Sequence, residues 1–182
     1  MTRFFAFLRA INVGGHTVSM ETLRSLFESF GLSDVETFLA SGNLIFRSAD
    51  QEAATLEQSI ALGLQRSLGY EVATFLRSEA ELAQIAAYQA FPANEVKAAT
   101  AFNIAFLSVP VDESAKRKLM GLTTAIDRFI SNGREIYWLC QKKQSESTFS
   151  NAVLEKTLGV RSTLRGWNTV QRLAARYSSA VN

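Results

Sequence analysis

The sequence predicts an α+β protein made of two tandem ferredoxin-like units, each β-α-β-β-α-β, with one additional C-terminal helix. Three observations carry this. The order of strand and helix signals over residues 3–77 returns over residues 101–164. In each half a glycine-terminated helix leads into a strand that ends in arginine: Leu68-Gly69 before Thr74-Phe75-Leu76-Arg77, and Leu158-Gly159 before Thr163-Leu164-Arg165. Each half also has a phenylalanine ahead of its hairpin turn, Phe38 and Phe129. The expected units are residues 1–90, with a trailing helix, and residues 100–182, joined by a linker at 91–99 that Pro92, Asn94 and Lys97 mark.

Taken in order, residues 3–11 read as a strand with two apolar faces, Phe5, Phe7 and Ile11 on one and Phe4, Ala6, Leu8 and Ala10 on the other. Such a strand belongs in a sheet covered on both sides. Gly14-Gly15 then opens a loop. A helix follows over 20–30, with Ser19 as N-cap, the stripe Leu23, Leu26, Phe27 and Phe30, and Gly31 as its stop. Strands at 35–39 and 44–47 flank the Ser41-Gly42-Asn43 turn. A helix over 52–68 carries Leu56, Ile60, Leu64 and Leu68, and residues 71–77 form the next strand. Ser78 and Glu81 have the spacing of a capping box that opens another helix.

The second half begins with a strand at 101–109 and a helix at 113–122 capped by Asp112. Strands at 126–130 and 135–140 flank the Asn132-Gly133 turn. A helix at 149–158, a short strand at 161–164 and a last helix at 169–177 complete the chain; Asn168 or Thr169 is its expected N-cap.

The 182 residues are 47% hydrophobic and 20% charged, enough to fill a core. The net charge of +2 does not argue for nucleic acid, although residues 134–182 hold eight Lys/Arg against three Asp/Glu. That basic quarter fits an anion site or a solvated face. A single cysteine, Cys140, excludes an internal disulfide and a multi-cysteine zinc cage. No apolar run reaches the ~20 residues of a membrane span. Arg9 interrupts the N-terminal apolar run, so that segment reads as a strand rather than a signal peptide, and a cytoplasmic location is expected.

In a β-α-β-β-α-β unit the first two strands run the same way with the third between them. The end of the first strand and the following hairpin therefore share one edge. That edge would gather Arg9, Asn12, Gly14 and Gly15 with Ser41, Gly42 and Asn43. Backbone N–H groups, carboxamides, a hydroxyl and a guanidinium suit an anionic or carbonyl-bearing ligand. The same residues also suit a purely structural role, since asparagines hydrogen-bond their own turns.

Phe7-Leu8-Arg9-Ala10-Ile11-Asn12-Val13-Gly14-Gly15-His16, the Ser41-Gly42-Asn43 turn and Leu164-Arg165-Gly166-Trp167-Asn168-Thr169 together resemble the bacterial family known as domain of unknown function 1697. The resemblance spans essentially the whole chain. It implies two ferredoxin-like units and brings no activity with it. It adds a third segment, because the family's Arg-Asn-Trp-Asn-Thr motif stands here as Arg165-Gly166-Trp167-Asn168-Thr169. Gly166 lacks the family's side-chain amide, and Thr148 stands where members tend to carry a base. Arg165 beside the start of the last helix would form an anion pocket; Trp167 would stack on a ring or fill a core.

The expected function is therefore binding of a small anionic or polar ligand by the first-strand turn, the Ser-Gly-Asn hairpin and the Arg165–Thr169 segment. No cofactor or metal is expected, since no His/Cys/Asp/Glu cluster has ligand spacing and His16 is the only histidine. The alternative is a structural or interaction module whose motifs lock the two units. A nucleic-acid partner ranks third, because Asn43-Leu44-Ile45-Phe46-Arg47 lacks the aromatic and glycine pattern of an RNA-recognition strand.

Overall fold

A strand apolar on both sides is where the fold starts, and the first strand, β1 (Thr2–Arg9), is buried from Phe4 through Leu8. The computed structural model describes residues 1–9, 11–12, 14–39, 41–49 and 52–177. The chain divides into two compact units, Met1–Gln84 with Tyr177, and Ile85–Arg176.

In the first unit β1 is followed by α1 (Met20–Ser29), β2 (Ser33–Thr37), β3 (Asn43–Ser48), α2 (Ala53–Leu68) and β4 (Ala73–Ser78). The sheet order is β2-β3-β1-β4 with antiparallel neighbours throughout. Phe4, Ala6 and Leu8 face Leu23 and Phe27 of α1 and Leu56, Ile60 and Leu64 of α2 in one apolar cluster. The caps read from sequence are present. Ser19 accepts from the Thr22 N–H at 3.0 Å, and Gly31 adopts φ 82° after α1. Ser78 and Glu81 exchange reciprocal bonds of 2.7 and 3.2 Å at the start of α3 (Glu79–Ala87).

In the second unit α4 (Ala93–Ala98) is followed by β5 (Ala101–Leu107), α5 (Glu113–Met120), β6 (Asp127–Asn132), β7 (Glu135–Cys140), α6 (Asn151–Leu158), β8 (Ser162–Gly166) and α7 (Trp167–Tyr177). Its antiparallel sheet has the order β6-β7-β5-β8. Ala105, Leu107, Ile136, Trp138 and Cys140 pack with Leu119 of α5 and Leu154 of α6. Asp112 caps α5, accepting from the Ala115 N–H at 2.7 Å.

Several boundaries differ from the sequence reading, for local reasons. The second strand stops at Thr37, because Leu39 takes φ 59°, which no extended strand accommodates. It begins earlier, at Ser33, through an irregularity where Asp34 takes φ 50°. Within the stretch at 91–99, residues Ala93–Ala98 form the short helix α4. The last strand extends through Gly166 and α7 starts at once, at Trp167. Asn168 and Thr169 therefore sit inside the first helical turn and neither is the N-cap. Among the described residues no helix is long and apolar enough to cross a membrane.

Candidate functional site

The two turns of the first unit meet. Phe7 lies opposite Asn43 in the ladder, and the Leu8 N–H donates to the Gly42 carbonyl at 2.8 Å. Gly42 takes φ 71°, and a Cβ there would stand 3.3 Å from Ile11 Cγ2 and from Leu8 Cβ. The carboxamides are engaged locally. Asn12 Oδ1 accepts from the Val18 N–H at 2.8 Å. Asn43, almost fully buried, donates through Nδ2 to the Phe38 carbonyl at 3.0 Å and to Ser41 Oγ at 2.7 Å.

Arg9 ends β1 half-buried, while Gly14 and Gly15 lie exposed with φ 62° and 84°. The His16 ring stacks on Tyr70 at 4.0 Å, and the Tyr70 hydroxyl donates to the Ile11 carbonyl at 2.8 Å. Ala10, Val13 and Ala40, which flank these motifs, lie outside the described residues.

The Arg165–Thr169 segment belongs to the second unit. Arg165 is 8% exposed, and its Nη1 donates to Thr163 Oγ1 and the Leu164 carbonyl, each at 2.8 Å. Burial draws its guanidinium pKa down to about 10, which leaves it charged at neutral pH. Trp167, half-buried, stacks on Phe102 at 4.7 Å with planes 23° apart, and meets Tyr137 edge-on at 6.3 Å.

A residue not singled out from the sequence completes this corner. Asn103 of β5 lies opposite Gly166 in the ladder and is only 7% exposed. Its Nδ2 has no hydrogen-bond partner among the described residues. The Asn103 carboxamide helps to wall a hollow of about 320 Å³ together with Thr100, Phe102, Gly166, Trp167 and Asn168. A Cβ added at Gly166 would come no nearer than 4.0 Å to Asn103 Oδ1 and Thr169 Oγ1, so the absent side chain leaves room there. The sequence signal for Asn103 was a lone carboxamide in the otherwise apolar run Ala101-Phe102-Asn103-Ile104-Ala105-Phe106-Leu107. What the corner offers chemically is a stacked aromatic wall, a carboxamide whose oxygen lies by Gly166, and the first-turn N–H groups of α7, which have no intrahelical acceptor.

A separate buried carboxylate has a structural set of partners. Asp127 accepts from Trp138 Nε1 at 2.8 Å, from Thr124 Oγ1 at 2.9 Å, and from Ser147 Oγ at 2.9 Å on both oxygens. Among the described residues no group of three His, Cys, Asp or Glu is placed to hold a metal ion.

A family model described as a protein of unknown function (DUF1697) matches residues 1–137. Among solved structures, a conserved bacterial protein from Streptococcus pneumoniae is similar in fold, with a TM-score of 0.79 and 21% identity over 98% of this chain and 99% of that one. None of the curated proteins matches this chain.

Proposed function

This chain belongs to the DUF1697 family of proteins of unknown function, and from that premise we propose a cytoplasmic binding protein for a small ligand with carbonyl or anionic oxygens, held where α7 begins. The observation that carries the reading is the Asn103 Nδ2 group, enclosed and without a partner among the described residues. A buried donor left unpaired costs about 1–3 kcal/mol, and a ligand oxygen in the hollow pairs that donor once the amide turns. The torsion at the end of an asparagine side chain is soft, so a half-turn of the amide brings its N–H₂ to the place Oδ1 holds. The free N–H groups and positive dipole end of α7 favour the same oxygens. Trp167, Asn168 and Thr169 contribute to this site, Asn103 joins them, and Arg165 places a positive charge in the strand leading into it.

The architecture within this reading is a duplicated ferredoxin-like unit with an added C-terminal helix. The matching strand orders β2-β3-β1-β4 and β6-β7-β5-β8 support it. So do the arginines on the last strand of each sheet, since Arg77 and Arg165 both donate to the carbonyl of the preceding residue, at 2.7 and 2.8 Å.

The test is thermal unfolding against a panel of acetate, phosphate, benzoate and benzamide. A compound that raises the melting temperature of the native chain and not of Asn103→Leu supports the reading. An equal rise in both proteins, or no rise with any member, overturns it. A second reading, a structural or interaction module, is favoured at the first-strand turn, where Asn12 and Asn43 tie down their own loops. Under it, Asn43→Ala lowers stability and leaves every ligand response in place.

A further inference from the structure

We infer that the ligand is an aromatic or heteroaromatic carboxylic acid, its ring lodged beside Trp167 and its carboxylate turned towards Asn103; this rests on the proposed site. A second hollow, of about 390 Å³, has walls in common with the first. The two share Val96, Phe102 and Trp167 as walls, and the inferred ligand spans both.

The second hollow is aromatic on several sides. Phe91 meets Phe102 edge-on at 5.8 Å, Phe102 stacks on Trp167 at 4.7 Å, and Tyr88 tilts against Tyr137 at 5.1 Å. Tyr88, Phe91, Phe102 and Trp167 line the space, and Ala86 and Ala90 keep it open. A flat ring fits such walls, because offset and edge-on aromatic contacts add to area burial.

The charge pattern selects the substituent. Among the residues lining the two hollows, Lys97, on the wall of the ring hollow, is the single charged one, and it is a cation. The first hollow adds the Asn103 carboxamide and the start of α7, whose N–H groups and positive dipole end receive an anion. A ring without an acid leaves the Asn103 donor unmet. An acid without a ring leaves the apolar walls unfilled.

The test uses indole-3-carboxylate as probe, with indole and acetate as its two halves, in ¹H–¹⁵N spectra of the full chain. Indole-3-carboxylate is expected to bind at least tenfold more tightly than either half and to shift the Trp167 indole N–H and the Asn103 amide resonances. Asn103→Leu weakens it several-fold and leaves indole unaffected. Ala87→Trp, an exposed position on the rim of the ring hollow, weakens indole and indole-3-carboxylate alike. If acetate binds as well as indole-3-carboxylate and Ala87→Trp has no effect, the aromatic assignment fails while the oxygen site stands. If indole binds equally well and Asn103→Leu changes nothing, the oxygen site itself fails. Binding of none of the three overturns the inference.

Discussion

Asn103 and Gly166 face each other across the β5–β8 ladder, a carboxamide opposite a residue with no side chain. The pairing explains how a buried amide comes to line open space. Gly166 has ordinary negative-side backbone geometry, and a Cβ on it would meet nothing closer than 4.0 Å. Glycine is therefore not demanded here by strain or by crowding. We predict that Gly166→Asn is tolerated, with a stability change within about 0.5 kcal/mol in urea unfolding, since its amide enters a space bounded by Asn103 Oδ1 and Thr169 Oγ1. A loss of several kcal/mol would show that the space is not open.

Gly42 presents the opposite case. Its φ of 71° disfavours any side chain, and a Cβ would sit 3.3 Å from both Leu8 Cβ and Ile11 Cγ2. Gly42→Ala is expected to cost about 1–3 kcal/mol, from left-handed backbone strain and overpacking together. Equilibrium denaturation measures it, and an unchanged midpoint would mean that the two turns are not packed against each other.

The Asp127 carboxylate organises the interior of the second unit through Trp138, Thr124 and Ser147. Asp127→Ala strands the buried Trp138 N–H and is expected to destabilise by about 2–4 kcal/mol. Asp127→Asn keeps a carbonyl acceptor and should cost less. Equal losses in the two variants would contradict this account of the carboxylate.

Burial raises the Cys140 thiol above its ordinary value of 9.0. The unfolded thiol ionises first as pH rises. The stability tied to the protonated thiol is thus complete below the unfolded value and is lost as pH climbs towards the folded one. Cys140→Ala should flatten the alkaline limb of the stability profile. The native thiol should also resist a disulfide reagent at pH 8 until the protein unfolds; rapid labelling of folded protein would contradict its burial.

Residues that act on their neighbours in sequence were legible from the chain alone. Ser19, Asp112 and the Ser78–Glu81 pair cap the helices read from spacing. The adjacency of the first-strand turn and the Ser-Gly-Asn hairpin followed from strand order. What escaped depends on pairing across the chain. Asn103 gains its meaning from standing opposite Gly166, 63 positions away, which no local pattern encodes. The start of α7 at Trp167 moved Asn168 and Thr169 from cap to first turn, because β8 runs two residues beyond its last apolar residue, Leu164, before the helix takes over.

The claim on which the account turns is that the Asn103 amide is held ready for a partner rather than employed in the fold. Urea unfolding of Asn103→Leu without ligand tests this most directly. Removing an unpaired buried donor in favour of an apolar side chain of similar size is predicted to leave stability equal to or above that of the native chain. A fall of more than about 1 kcal/mol would mean that the amide already has work in the folded protein, and would contradict the site.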